Sequence, residues 1–176
     1  SGCCSGNKSI KINIVINLKD VTFIIPVKIE SPDREFNFLR VIQYLCDNFE
    51  TNIIISEADA EPRVRELLKK INQKKTKIIL FYEKSDSEIF HLTRLLNEML
   101  LESTTPITVN YDIDVLLLPE AYVEARDKII NEGCHLIYPF KKGDGQICID
   151  YPNKENYNGE SLFNEKYYKP WGSLCG

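Results

Sequence analysis

Five short apolar runs, separated by stretches of helical spacing, constrain this 176-residue chain more than any other feature. They are Val21–Val27, Asn52–Ser56, Lys77–Tyr82, Pro106–Tyr111 and His135–Phe140. A strand covered on both faces reads as a near-continuous apolar run, whereas a strand with one wet face alternates. Ser31-Pro32-Asp33 predicts a turn and a helix start, followed by Phe36, Leu39, Ile42 and Leu45 at helical spacing. Glu61-Pro62 opens a charged helix that is expected to reach Asn72, with Pro62 tolerable in the first turn. Ser85 to Leu101 reads as a helix with Ile89, Leu92, Leu96 and Leu100 inward, and Pro119 to Gly133 as another, stopped by Gly133. Strands alternating with helices predict an α/β fold, an open and mostly parallel sheet with helices on both faces. Upstream, Ile10 to Leu18 alternates apolar and polar residues and predicts one more, half-buried strand.

The chain is long enough to bury a substantial core. With 43% hydrophobic and 27% charged residues it has the composition of a soluble globular domain. A net charge of −4 gives no basic footprint for non-specific nucleic-acid binding, so no nucleic-acid partner is expected. A phosphorylated ligand stays allowed, because a local cation or a metal can overrule net charge. No apolar run is long enough to span a bilayer, and no secretory signal is present. The six cysteines show no CxxC pair and no zinc pattern with His91 and His135, so they read as reduced thiols in a cytoplasmic protein.

The organisation expected is an N-terminal extension over 1–19, an α/β domain over 20–140 and an irregular tail over 141–176. The tail is rich in Gly, Asp, Asn and Tyr, with a short hairpin expected around Lys142–Gly145. In open parallel sheets ligands bind outside the carboxyl ends of the strands. The polar residues there are Lys28 and Glu30, Glu57 and Asp59, and Asp112 and Asp114.

Asp112-Ile113-Asp114 is the sharpest of these features. Two carboxylates two residues apart in extended chain point to one side, and they repel unless a cation sits between them or a proton is shared. Hard oxygen ligands suit Mg²⁺ or Mn²⁺, which also hold diphosphates. The alternative is a pair of solvated acids at a strand end.

In its order of segments the chain resembles the family-two glycosyltransferases of the GT-A fold, in particular the branch with chondroitin-polymerase-like and galactosyltransferase-like domains. The resemblance rests on Val21–Lys28, Ile53–Asp59, Phe90–Asn97 and Tyr111–Leu117, which together span roughly residues 20–140. It implies a nucleotide-sugar site, with a UDP-sugar favoured and Mn²⁺ or Mg²⁺ on Asp112 and Asp114. Pro26 to Lys28 would lie along the nucleoside, with Glu30 at the same rim. Glu57 falls where the family commonly accepts a hydrogen bond from uracil. Arg94 falls in an R-x-x-N stretch whose Arg commonly reaches the nucleotide, and Asn97 would hold its helix to the sheet. The family's Gly two residues after that Asn is Met99 here. His91, His135, Tyr138, Phe140 and Trp171 read as structural.

The resemblance also implies that the acceptor side and a catalytic base lie beyond the metal motif. Asp144 and Asp150 are the acids nearest that region, and neither is assigned as base. The chain is therefore expected to be the donor half of a sugar transferase, with the hydroxyl acceptor unidentified and little transfer by this chain alone. Two further readings stay open: a non-catalytic nucleotide-binding module of the same fold, and a nucleotidyltransferase. The latter class usually places a Gly-rich loop after the first strand, and none follows Ile25.

Overall fold

The structure, a computed structural model, describes residues 15–87, 89–139, 147–149, 165 and 168–170. The chain divides into two units, Ser1–Val115 and Leu116–Gly176.

The first unit is an α/β sheet of four strands, all parallel, in the order β3-β2-β1-β4. Its elements in chain order are β1 (Ile16–Val27), α1 (Pro32–Asn48), β2 (Phe49–Asp59), α2 (Val64–Leu68), β3 (Lys77–Lys84), α3 (Leu92–Glu102) and β4 (Ile107–Asn110). The two strands expected at Ile10–Leu18 and Val21–Val27 are one: residues 16–27 form β1, whose pairing with β2 shifts register between Asn17 and Thr22. Residues 10–14 lie outside the described residues.

Strand alternation sorts the core into two layers. Ile24, Ile54 and Ala58 point to one face and pack with Leu95 and Met99 of α3. Phe23, Ile25, Ile53 and Ile55 alternate to the other face and are fully buried. α1 packs on β2 and buries Phe38, Ile42 and Leu45. Ser31 caps α1 by accepting from Arg34 N–H at 3.3 Å, and Pro32 sits in its first turn, as the sequence predicts. Cys46 on α1 is buried, and burial pushes its thiol up to about 11, so it stays a neutral packing group.

Two helices are shorter than expected. α2 covers only five residues instead of running to Asn72. The i→i+3 bonds from Lys70 N to Leu67 O and from Ile71 N to Leu68 O tighten its end. α3 begins at Leu92, not at Ser85. Upstream, the hydroxyls of Ser85 and Ser87 accept from the backbone N–H groups of Ser87 and Ile89, and such local bonds compete with helix formation. The inward face of α3 is corrected in part, since Leu96 packs against the core as expected. Leu95 and Met99 are buried, whereas Leu92 and Leu100 are about half exposed and Ile89 is 67% exposed. Asn97 faces solvent, so the hold on the sheet belongs to Leu95 and Met99.

In the second unit α4 covers Pro119–Glu132 and ends on Gly133 at φ 70°, the left-handed stop expected there. Residues 133–139 form neither helix nor strand, against the strand expected at His135–Phe140, and Leu136 and Tyr138 are about 70% exposed. β5 (Ile147–Ile149) and β6 (Tyr168–Pro170) pair antiparallel. The expected hairpin at Lys142–Gly145 and the residues Phe140, Asp144, Asp150 and Trp171 lie outside the described residues. No described helix is long and apolar enough to cross a membrane.

Candidate functional site

Strand order fixes where a ligand fits. From β1 the chain moves outward to β2 and β3, then crosses back to place β4 on the other side of β1. The direction of winding therefore reverses between β1 and β4, and the crevice outside the carboxyl ends at such a reversal is where open α/β sheets bind ligands. The β1–β4 ladder ends early: its last register pair is Ile24 with Asn110, and Tyr111 N–H then donates to Ile24 O at 3.1 Å. Two residues on, Pro26 faces the same neighbour and has no N–H to offer. β1 continues to Val27 against β2 alone, while β4 turns away. A ligand crevice at the reversal would open at that point.

Asp112, Ile113 and Asp114 line the opening. Ile113 is buried and the two acids on either side of it are exposed, so both carboxylates stand on the solvent side. The expectation of extended chain is corrected here, because Ile113 and Asp114 form a turn. Tyr111 holds that turn at both ends. Its ring packs edge-on against Phe23, with centroids 5.3 Å apart, and its hydroxyl donates to Val115 O at 2.7 Å. Tyr111 was not singled out from sequence; the signal was an aromatic at the junction of a buried strand and two acids.

The electrostatics of the opening disfavour charge on Asp112. The Asp112 carboxyl is pushed above its ordinary range, first by loss of water and then by Asp114, while Arg34 pulls it back. Arg34, half-buried in the first turn of α1, donates its Nε to the Lys28 carbonyl at 2.9 Å and is thereby tied to the end of β1. Lys28 turns its ammonium to Glu30 at 3.2 Å and to Ser87 O at 3.5 Å, so these two rim residues occupy each other.

Glu57 lies on β2, beside Val27 in register. It is fully buried. Its Oε1 accepts from Arg63 N–H at 2.7 Å and Val64 N–H at 3.0 Å. It thus caps α2, whose own N-terminal residue supplies no side-chain cap. Its Oε2, like Asp59 Oδ2, has no hydrogen-bond partner among the described residues.

Arg94 is not brought to this opening. Its guanidinium is bonded to both carboxylate oxygens of Glu83 on β3, at 2.6 and 2.8 Å, and to Glu98 at 2.9 Å. β3 is the far edge strand, three strand spacings or roughly 14 Å from β4. The Arg at the opening is Arg34, which the R-x-x-N resemblance passed over. His91 is exposed at the start of α3 and caps it with no side-chain bond. A groove beside Arg94 is lined by Phe81, Tyr82, Glu83, Glu98, Met99 and Glu102.

Among the described residues no group of three or more His, Cys, Asp or Glu gathers as a ready-made metal cage. The two-carboxylate opening fits Mg²⁺ or Mn²⁺ in another way. Such ions are commonly held by one or two carboxylates, with substrate phosphates and water completing the shell.

No protein-family model matches the chain, and no solved structure matches it. A stretch of 91 residues is 28% identical to an arginine–tRNA ligase of Borrelia garinii subsp. bavariensis, covering 51% of this chain and 16% of that protein. This likeness assigns the chain to no family.

Proposed function

We propose that this chain is the donor-binding part of a glycosyltransferase. It binds a nucleoside-diphosphate sugar, by preference a UDP-sugar, through Mn²⁺ or Mg²⁺ on Asp112 and Asp114, and serves transfer of the sugar to a hydroxyl acceptor. One observation carries the reading: an exposed acid pair at the β1/β4 reversal, with Asp112 resisting ionisation. Two carboxylates that repel, with no ion pair to a described residue, are a donor set that a divalent ion completes. Supporting it, Glu57, Pro26 with Lys28, and Asp112 fall on three neighbouring positions of the sheet, β2, β1 and β4. From β2 to β4 is two strand spacings, roughly 10 Å, which suits a nucleotide laid along the carboxyl edge. Glu57 Oε2 is sealed from solvent, so the base reaches it only by displacing its cover; the reading rests on the acid pair.

When bound, the metal would offset charge gathering on the leaving diphosphate. This chain's own part is to hold the two carboxylates in register through Tyr111 and Ile113 and to seat the nucleotide at the end of β1.

The test is calorimetric titration with uridine diphosphate in Mn²⁺ and in chelator. Wild type is expected to bind at least about tenfold more tightly with metal, and Asp114→Asn to lose most of that difference because one of the two carboxylate charges is gone. Equal affinity in metal and chelator, or an unaffected Asp114→Asn protein, contradicts the proposal.

A further inference from the structure

We propose that Arg34 grips the diphosphate of the bound nucleotide, an assignment that rests on the donor-site reading above. The geometry is that of a guanidinium held in place with its working end unused. Nε is committed to the Lys28 carbonyl at 2.9 Å, which anchors the group where β1 ends and the crevice opens. Neither Nη hydrogen-bonds any described residue, and no described carboxylate pairs with Arg34 within ion-pair distance. The contrast with Arg94 is direct, since that fork is filled by Glu83 and Glu98. Among the described residues this half-buried cation has one hydrogen-bond partner, the Lys28 carbonyl, and no ion pair. Lys28 follows β1 and Asp112 follows β4, the strand beside it, so the anchored guanidinium lies at the sheet edge where Asp112 emerges.

The chemistry selects the ligand. A planar guanidinium with two free Nη groups matches paired non-bridging phosphate oxygens in a bidentate fork. The two carboxylates at the opening repel a diphosphate, and a cation pinned beside them helps offset that repulsion. The start of α1 does not supply the attraction by itself, because Asp33 and Glu35 in its first turn oppose an anion there. The side chain is therefore the recognising group.

The test compares Arg34→Ala and Arg34→Lys with wild type, using uridine diphosphate with Mn²⁺, uridine with Mn²⁺, and Mn²⁺ alone. Arg34→Ala is expected to weaken uridine diphosphate roughly ten- to a hundredfold, the range of a charged hydrogen-bonded contact. Uridine affinity should stay unchanged, and Mn²⁺ alone should bind as well or better once a neighbouring positive charge is gone. Arg34→Lys keeps the charge without the fork and should fall between. It also serves if the Ala variant unfolds. Equal losses for uridine and uridine diphosphate would make Arg34 a support of the β1–α1 turn and overturn the proposal, as would variants that bind the diphosphate like wild type. A wild type without metal-dependent uridine diphosphate binding overturns the donor-site reading itself.

Discussion

Burial, and after it the charge of Asp114, hold the folded Asp112 carboxyl above its ordinary value of 3.8, with Arg34 opposing them. The folded state therefore holds the Asp112 proton more tightly than the unfolded chain does. The stability this gives is present below 3.8 and is lost as pH rises through the raised folded value. At neutral pH the bare carboxylate thus works against the fold. Asp112→Asn is expected to raise stability at neutral pH, by less than about 1 kcal/mol because the group is partly solvated and screened. The gain should vanish near pH 3, where a proton already neutralises the acid. Urea unfolding at the two pH values measures this, and an Asn variant less stable than wild type at neutral pH would rule it out. Protons compete with a metal for the same oxygens, so Mn²⁺ binding should weaken on acidification at a higher pH than an ordinary aspartate would impose.

The element that presents the acids is the turn closing β4, and Tyr111 is its clamp. Tyr111→Phe keeps the edge contact with Phe23 and removes the hydroxyl bond to Val115 O. We expect a loss of about 1 kcal/mol in unfolding free energy. A severalfold weaker Mn²⁺-dependent binding of uridine diphosphate should accompany it, because the turn is freed at one end. Wild-type values in both measurements would show that the turn is held by other means. At this scale the sequence was readable where a local rule acts alone. Ser31-Pro32 marked the start of α1 and Gly133 the stop of α4 through capping chemistry. It was unreadable where two local solutions compete. α3 carries two apolar stripes, Leu92-Leu96-Leu100 and Leu95-Met99, both at a spacing of four. Packing against Ile24 and Ile54 buries the second and takes only Leu96 from the first. The burial of Glu57 was hidden for a related reason: it depends on the chain folding back to bring Arg63 and Val64 N–H groups onto one carboxylate oxygen.

For the whole molecule, the alternation of runs and helices implied a parallel α/β sheet, and the sheet is wholly parallel across its four strands. The order of those strands was not legible, because apolar periodicity does not say on which side of β1 the fourth strand docks. That choice decides the site. With β4 beside β1, Asp112 emerges on the β1 side of the sheet, where Arg34 is anchored to Lys28, while Arg94 on α3 reaches Glu83 of β3, the opposite edge strand. The R-x-x-N stretch places Arg94 on Glu83 and Glu98, whereas Asp112-Ile113-Asp114 follows the strand at the reversal that open sheets use. Mn²⁺ is paramagnetic and broadens the signals of nuclei near it, so its location can be read directly. In amide NMR spectra with uridine diphosphate and substoichiometric Mn²⁺, the account predicts selective broadening of Lys28, Arg34 and Tyr111 to Val115. Broadening centred instead on Glu83, Glu98 and Glu102, the acids of the groove beside Arg94, or no selective broadening at all, would contradict it.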